Sequence, residues 1–266
     1  MSDTLTEGLT ESLCLEQQGH TALLTLNNPP AHTWTPESLD ALSEIISNLN
    51  ADKNNYALVI TGSGNKFFSA GADLNQFNHN DNAKCERFSQ AFANAFSVLA
   101  NYQGVSIAAI NGFAMGGGLE TALACDIRIA EPHAQMALPE CSVGLLPCGL
   151  GTQHLSLLVG EQWAKRMILL GERVDAEKGL AIGLISEIAT AGSVVETALT
   201  LAAKTEKQSP LAVRYCKELI MLSREKPLNQ AITEECKKFA LLWGTHDQNE
   251  GVAAFVEKRK PEWKNQ

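Results

Sequence analysis

Two glutamates stand among small and apolar residues: Glu120 follows Gly116-Gly117-Gly118-Leu119, and Glu140 follows Leu138-Pro139 just before the stretch from Gly144 to Gly151. A carboxyl flanked by apolar groups has its charged form disfavoured. In a pair, one member can then donate a proton while the other accepts one, which is the requirement of general acid/base chemistry. Taken singly, each glutamate fits a structural salt bridge or a charge at a helix start better.

The glycine triplet adds a second chemical element. It follows a strand-like run, Val105 to Ile110, and Asn111-Gly112, and it precedes an apolar helical pattern ending near Cys125. Free amides at a helix N-terminus can hold a developing oxyanion, and glycine lets a carbonyl approach the backbone closely. A glycine triplet alone also reads as a tight turn. A companion segment, Phe67-Phe68-Ser69-Ala70-Gly71-Ala72-Asp73-Leu74, offers small residues after a strand and loop, with Asp73 suited to cap a helix. Two separated amides aimed at one oxygen make an oxyanion hole if the fold brings these segments together.

Other chemistries lack their patterns. Thr61-Gly62-Ser63-Gly64-Asn65-Lys66 does not supply the Gly-Lys-Ser/Thr of a nucleotide-hydrolase loop, and the triplet does not give the GxGxxG spacing of a dinucleotide fold. No G-x-S-x-G elbow is present. Cys148, in Leu146-Pro147-Cys148-Gly149, has no nearby basic partner in the sequence and reads as a packing thiol. The seven cysteines show no zinc spacing, so no metal is expected. A formal charge of −9 argues against nucleic acid as a partner. An anionic ligand needs a local basic patch, and Lys258-Arg259-Lys260 with Lys264 is the obvious cluster, unless it is only a solvated tail. Met1 to Gln18 is polar and acidic, without the marks of a signal segment, and no apolar run approaches a membrane span; a soluble, most simply cytoplasmic, protein is expected.

The elements that must position these residues follow an α/β rhythm. With 45% apolar residues the chain of 266 can bury one sizeable core. Thr21 to Leu26, Tyr56 to Thr61, Val105 to Ile110, Ile127 to Ala130, Gln135 to Ala137 and Leu184 to Ile188 read as strands. Thr35-Pro36 starts a helix that should run to about Asn50, and another spans about Ala83 to Asn101. After about Ala191 only helical periodicity remains, over Ser193 to Lys207, Leu211 to Ser223, Leu228 to Trp243 and Asn249 to Lys258. Residues 1–191 are expected to form the core and 192–266 a helical extension.

Ser69-Ala70-Gly71-Ala72-Asp73-Leu74, Ile110 to Glu120, and Pro139-Glu140 followed by Gly144-Leu145-Leu146-Pro147 together resemble the crotonase superfamily, the enoyl-CoA hydratase/isomerase family. The similarity runs from about Leu13 to Lys260. It implies an α/β fold, a crotonase-like spiral of ββα units with a C-terminal helical trimerisation region, assembled as a homotrimer or a dimer of trimers. By position in the matching motifs, the amides of Ala72 and Gly117 would form the oxyanion hole for a thioester carbonyl. Glu120 and Glu140 match the two acid/base carboxylates, Glu140 serving the α-proton and Glu120 the water. Lys66, Ala70, Ala72 and Asp73 would face coenzyme A, which enters as part of the thioester substrate, with Phe255 and Lys258 enclosing it. Cys148 falls where such hydratases commonly have a glycine whose amide helps hold the water. The resemblance therefore implies hydration of an enoyl-CoA. Positional isomerisation, other enolate-forming acyl-CoA chemistry, or silent acyl-CoA binding stand as its alternatives.

Overall fold

The computed structural model describes residues 11–77 and 81–266. The sequence reading of residues 1–10, and the middle of the Asn75 to Lys84 stretch, lie outside the described residues.

The chain opens with an antiparallel hairpin of β1 (Leu13–Gln18) and β2 (Thr21–Leu26). Helix α1 (Pro36–Ala51) starts where its sequence signals place it: the Thr35 hydroxyl accepts from the Ser38 amide, the Ser38 hydroxyl accepts from the Thr35 amide, and Pro36 takes the first turn. Its face of Leu39, Leu42, Ile45, Ile46 and Leu49 is buried.

Three units of two strands and a helix then follow. The first is β3 (Ala57–Gly62), β4 (Phe67–Ser69) and α2 (Asn82–Ala100). The second is β5 (Val105–Ile110), β6 (Phe113–Met115) and α3 (Gly117–Ala124). The third is β7 (Ile127–Ala130), β8 (Gln135–Ala137) and α4 (Gly151–Leu169). In each unit the first strand joins one sheet and the second strand another, so successive units stack along both sheets. After β9 (Val174–Asp175), α5 (Ala176–Ala181) and β10 (Glu187–Ile188), the larger sheet runs β1-β2-β3-β5-β7-β10 and the smaller runs β4-β6-β8-β9. Within them only β1 with β2 and β8 with β9 pair antiparallel. This is a mixed α/β fold, a spiral of ββα units.

Asn111 closes one corner of the spiral. Its buried side-chain amide donates to the carbonyls of Gly62 and Gly64 while its oxygen accepts from the Gly62 amide, which locks the turn out of β3 to the turn out of β5.

Two strand expectations shift. The run read from Tyr56 begins at Ala57 and ends at Gly62. The run read over Leu184 to Ile188 keeps only Glu187–Ile188, because the amides of Leu184 and Ile185 donate to the Gly179 carbonyl and close the end of α5 instead of joining a ladder.

The last segment is helical: α6 (Val194–Ala202), α7 (Pro210–Leu222), α8 (Leu228–Leu242) and α9 (His246–Glu257). Val194, Ala198 and Ala202 of α6 pack on the β3–β5 face with Val59 and Ile107. Farther on, the chain turns back on itself. Asp247, 1% exposed, accepts from the amides of Lys264 and Asn265, and its own amide donates to the Gln266 carbonyl.

Candidate active site

The segments carrying the two candidate amides meet. Gly71 has φ +90, and a Cβ there would stand 2.8 Å from the Gly117 nitrogen and 2.6 Å from the Met115 carbonyl oxygen. A Cβ on Gly118 would stand 2.1 Å from the Ser69 oxygen. Only glycine permits this approach of the start of α3 to the end of β4. Around this contact the chain is well tied. The Gly71 amide donates to the Ser69 hydroxyl, which donates to the His32 carbonyl, and the Trp34 amide donates to the Gly71 carbonyl. The buried Trp34 indole donates to Thr121 of α3, whose hydroxyl donates to the Gly117 carbonyl.

Ala72 and Gly117 both line one cavity of about 640 Å³. No acceptor among the described residues takes the amide of either residue. In Gly117 this follows from its place in the first turn of α3, where amides have no partner within the helix.

Glu120 and Glu140 line the same cavity. Glu120, on α3 and 2% exposed, is anchored through one oxygen: Oε1 accepts from the amides of Gly149 and Gly151, each at 2.8 Å. Leu150 between them holds a left-handed conformation, φ 72, which turns both neighbouring amides onto one oxygen. Burial lifts the Glu120 pKa to about 7, with the two amides opposing and the Glu140 charge adding to the rise. Glu140 begins a 3-10 turn, Glu140–Val143. Its Oε2 is shielded from solvent without a hydrogen-bond partner, and burial lifts its pKa to about 7 as well. Two carboxyls poised near neutrality can share one proton between donor and acceptor roles. The half-buried Cys148 thiol lines the cavity and is pushed up to about 12 by burial and by the charges of Glu120 and Glu140, so it stays protonated.

Of the residues expected to face coenzyme A, Ala70, Ala72 and Asp73 line the cavity. Asp73 caps a 3-10 turn, Leu74–Phe77, by accepting from the Asn75 amide, rather than starting an α-helix. Lys66, Phe255 and Lys258 are not among the lining residues. Lys66 lies over the Phe67 ring at 5.3 Å, Phe255 projects from α9 at 85% exposure, and Lys258 ends α9 in a left-handed conformation. In the basic cluster, Arg259 is paired with Glu250 and Glu257.

Gly149 and Gly151, the donors that hold Glu120, escaped the sequence reading as site residues; the Gly149-Leu150-Gly151 pattern was their available signal. The cavity floor is apolar, with Phe77 and Phe92 among its walls. Among the described residues no group of three or more His, Cys, Asp or Glu side chains could hold a metal ion, and no helix is long and apolar enough to cross a membrane.

This arrangement, backbone amides facing a cavity that holds two proton-carrying carboxyls, suits a substrate whose carbonyl gains negative charge while protons move nearby. Comparison with known proteins agrees. Residues 16–266 match the family model described as enoyl-CoA hydratase/isomerase. The chain is 34% identical to a short-chain-enoyl-CoA hydratase of Clostridium acetobutylicum, over 94% of this chain and 97% of the relative. It is 36% identical to a 2,3-dehydroadipyl-CoA hydratase of Escherichia coli, over 95% and 98%. Among solved structures, DspI of Pseudomonas aeruginosa superposes with a TM-score of 0.95 at 55% identity, over 98% of this chain and 100% of that one. An enoyl-CoA hydratase of Bacillus anthracis superposes at 0.91 with 31% identity, over 96% and 100%. The protein is an enzyme of the crotonase superfamily and belongs to its enoyl-CoA hydratase/isomerase family.

Proposed function

We propose that the protein hydrates the 2,3 double bond of an enoyl-CoA thioester. The observation that carries this reading is the pair of carboxyls, Glu120 and Glu140, both with proton affinities near neutrality in one cavity with the unengaged amides of Ala72 and Gly117. The thioester carbonyl accepts from those two amides, which stabilise the enolate as charge moves onto oxygen. Glu120, fixed through Oε1, uses its other oxygen to hold and deprotonate water for attack at the β-carbon. Glu140 delivers a proton to the α-carbon. Water supplies both the hydroxyl and, in net terms, the proton that the product gains.

Coenzyme A would run past Ala70 and Asp73 toward Lys66. Phe255 and Lys258 would enclose it from a neighbouring subunit of a homotrimer or a dimer of trimers, which accounts for a phenylalanine left 85% exposed in the single chain. The compartment expected for this work is the cytoplasm.

Loss of the ultraviolet absorbance of the conjugated thioester tests the reading, across a panel of short- to medium-chain enoyl-CoA substrates. Steady loss is expected with at least one of them, and no loss with any of them refutes it. Glu120→Gln and Glu140→Gln should each lower turnover at least about a hundredfold, the usual scale of acid/base catalysis. Retained activity in either variant refutes that residue's role.

One observation favours a second reading. Cys148 adds a side chain beside the carboxyls, and a thiol that displaces the attacking water from its place there would leave proton transfer between carbons, that is, positional isomerisation. Chromatography of products from a 3-enoyl-CoA separates the two: a 2-enoyl product without hydration supports the isomerase.

A further inference from the structure

A second cavity, of about 490 Å³, opens at the other end of α3. The first cavity takes Gly117 and Glu120 from that helix; this one takes Leu123 and Ala124, then Cys125 to Arg128, and is closed by α7. The two share no lining residue. Its size falls within the usual range of small-molecule sites.

Its charges do not balance. Arg128, Lys217 and Arg224 line it against one carboxylate, Asp126. That carboxylate is spoken for: Oδ2 accepts from Lys217 Nζ at 2.7 Å and from the amide and hydroxyl of Ser106. Neither arginine has an acidic partner within ion-pair distance among the described residues.

Arg128 is 8% exposed. Its Nε donates to the Leu184 carbonyl and its Nη1 to the Cys125 carbonyl, which ends α3 on a cation, while Nη2 donates to no acceptor among the described residues. Burial lowers the proton affinity of Arg128; Cys125 and the Asp126 charge oppose the shift, and the Arg224 charge adds to it. His154, also in the lining, is lowered by burial and by both arginines. Basic groups thus line a cavity whose remaining wall is mostly apolar, with Gln208 and Ser209 its neutral polar residues. A buried guanidinium without a counterion is costly, and a carboxylate is the anion its fork fits best.

We propose that this cavity binds a free fatty acid, its carboxylate between Arg128 and Arg224 and its chain along Leu123, Leu158, Val213 and Ile220. The headgroup supplies the missing negative charge, and the chain covers the apolar wall. A phosphate ion would satisfy the arginines and leave that wall exposed. An alkane or alcohol would do the reverse. The site is separate from the one assigned to hydration and does not depend on that assignment.

Two exposed cysteines give each cavity its own reporter: Cys216 lines this one and Cys85 the candidate active site. The experiment is timed alkylation with iodoacetamide, resolved by peptide mass spectrometry, with and without dodecanoate below its micellar concentration. At roughly ten times the dissociation constant, Cys216 alkylation should slow about tenfold while Cys85 is unchanged. Dodecanol at the same concentration should protect far less. Arg224→Glu, at an exposed position, and Leu158→Trp, which fills the cavity, should each abolish protection, and circular dichroism checks that both variants are folded. Several results overturn the proposal: no protection of Cys216 up to the micellar limit, equal protection by dodecanol or in Arg224→Glu, or protection of Cys85 alone.

Discussion

The two oxygens of Glu120 have different fates, and that asymmetry decides how the residue behaves. Oε1 is tied to Gly149 and Gly151, so the side chain cannot swing, yet the carboxyl as a whole is buried enough to hold its proton up to about pH 7. A folded-state pKa raised from 4.5 to about 7 means that the folded protein binds this proton more tightly than the unfolded chain does. The stability it contributes is present below pH 4.5 and is lost as pH rises through 7. Glu120→Gln keeps an oxygen for the two amides and removes the buried charge. The variant should therefore melt close to the parent at pH 5 and about 2–4 °C or more above it at pH 8, read by differential scanning calorimetry. The same melting point at both pH values would contradict the burial cost. At this scale the pair itself was legible in the sequence, because both glutamates sit among apolar neighbours. Their supports were not. The donors to Glu120 lie 29 and 31 residues away, and no local pattern announces a hydrogen bond across that distance.

Helix α3 has only eight residues, all of them buried, and its placement depends on the absence of a side chain at Gly118. Gly118→Ala would set a methyl against the Ser69 carbonyl and push α3 away from β4, separating the amides of Ala72 and Gly117. Overpacking of this kind costs about 1–3 kcal/mol, so the variant should unfold at lower denaturant and lose turnover by more than its folded fraction accounts for. Equilibrium urea unfolding beside kcat checks both parts. The longer elements were readable because their patterns persist over several turns or residue pairs: α1, α2 and β5 stand within a residue or so of expectation. The smaller sheet was not recognised as a sheet. Of its strands, β8 stands where it was read, over Gln135–Ala137, but β4 and β6, three residues each, are too short for alternation to register, and their pairing depends on the spiral returning to the same place. Helix α4 was obscured by Gly160, which leaves helical geometry at φ 73 and breaks the periodicity in mid-run.

On the scale of the molecule, the C-terminal helices leave several large apolar side chains bare. Leu228, Phe239, Trp243, Phe255 and Val256 are each more than half exposed. Large apolar side chains left exposed in such number suit a protein interface, and the proposed homotrimer would cover them. Light scattering after size-exclusion chromatography should give a trimer or a multiple of it. Phe239→Glu combined with Trp243→Glu should release smaller species, whereas a monomeric parent protein would contradict the assembly. Periodicity identified these helices in the sequence, but a periodic apolar face does not say whether it meets its own core or another chain.

The return of the chain end to Asp247 has a practical side. Removing residues 264–266 takes away two amide donors and the carbonyl that receives the Asp247 amide, leaving a carboxylate buried at 1% exposure with fewer partners. Carboxypeptidase trimming, which removes no lining residue of either cavity described above, should thus lower the melting temperature measurably in a time course, with each digest checked by intact mass. An affinity tag fused after Gln266 would tug on the same knot. Purification handles belong at the other terminus.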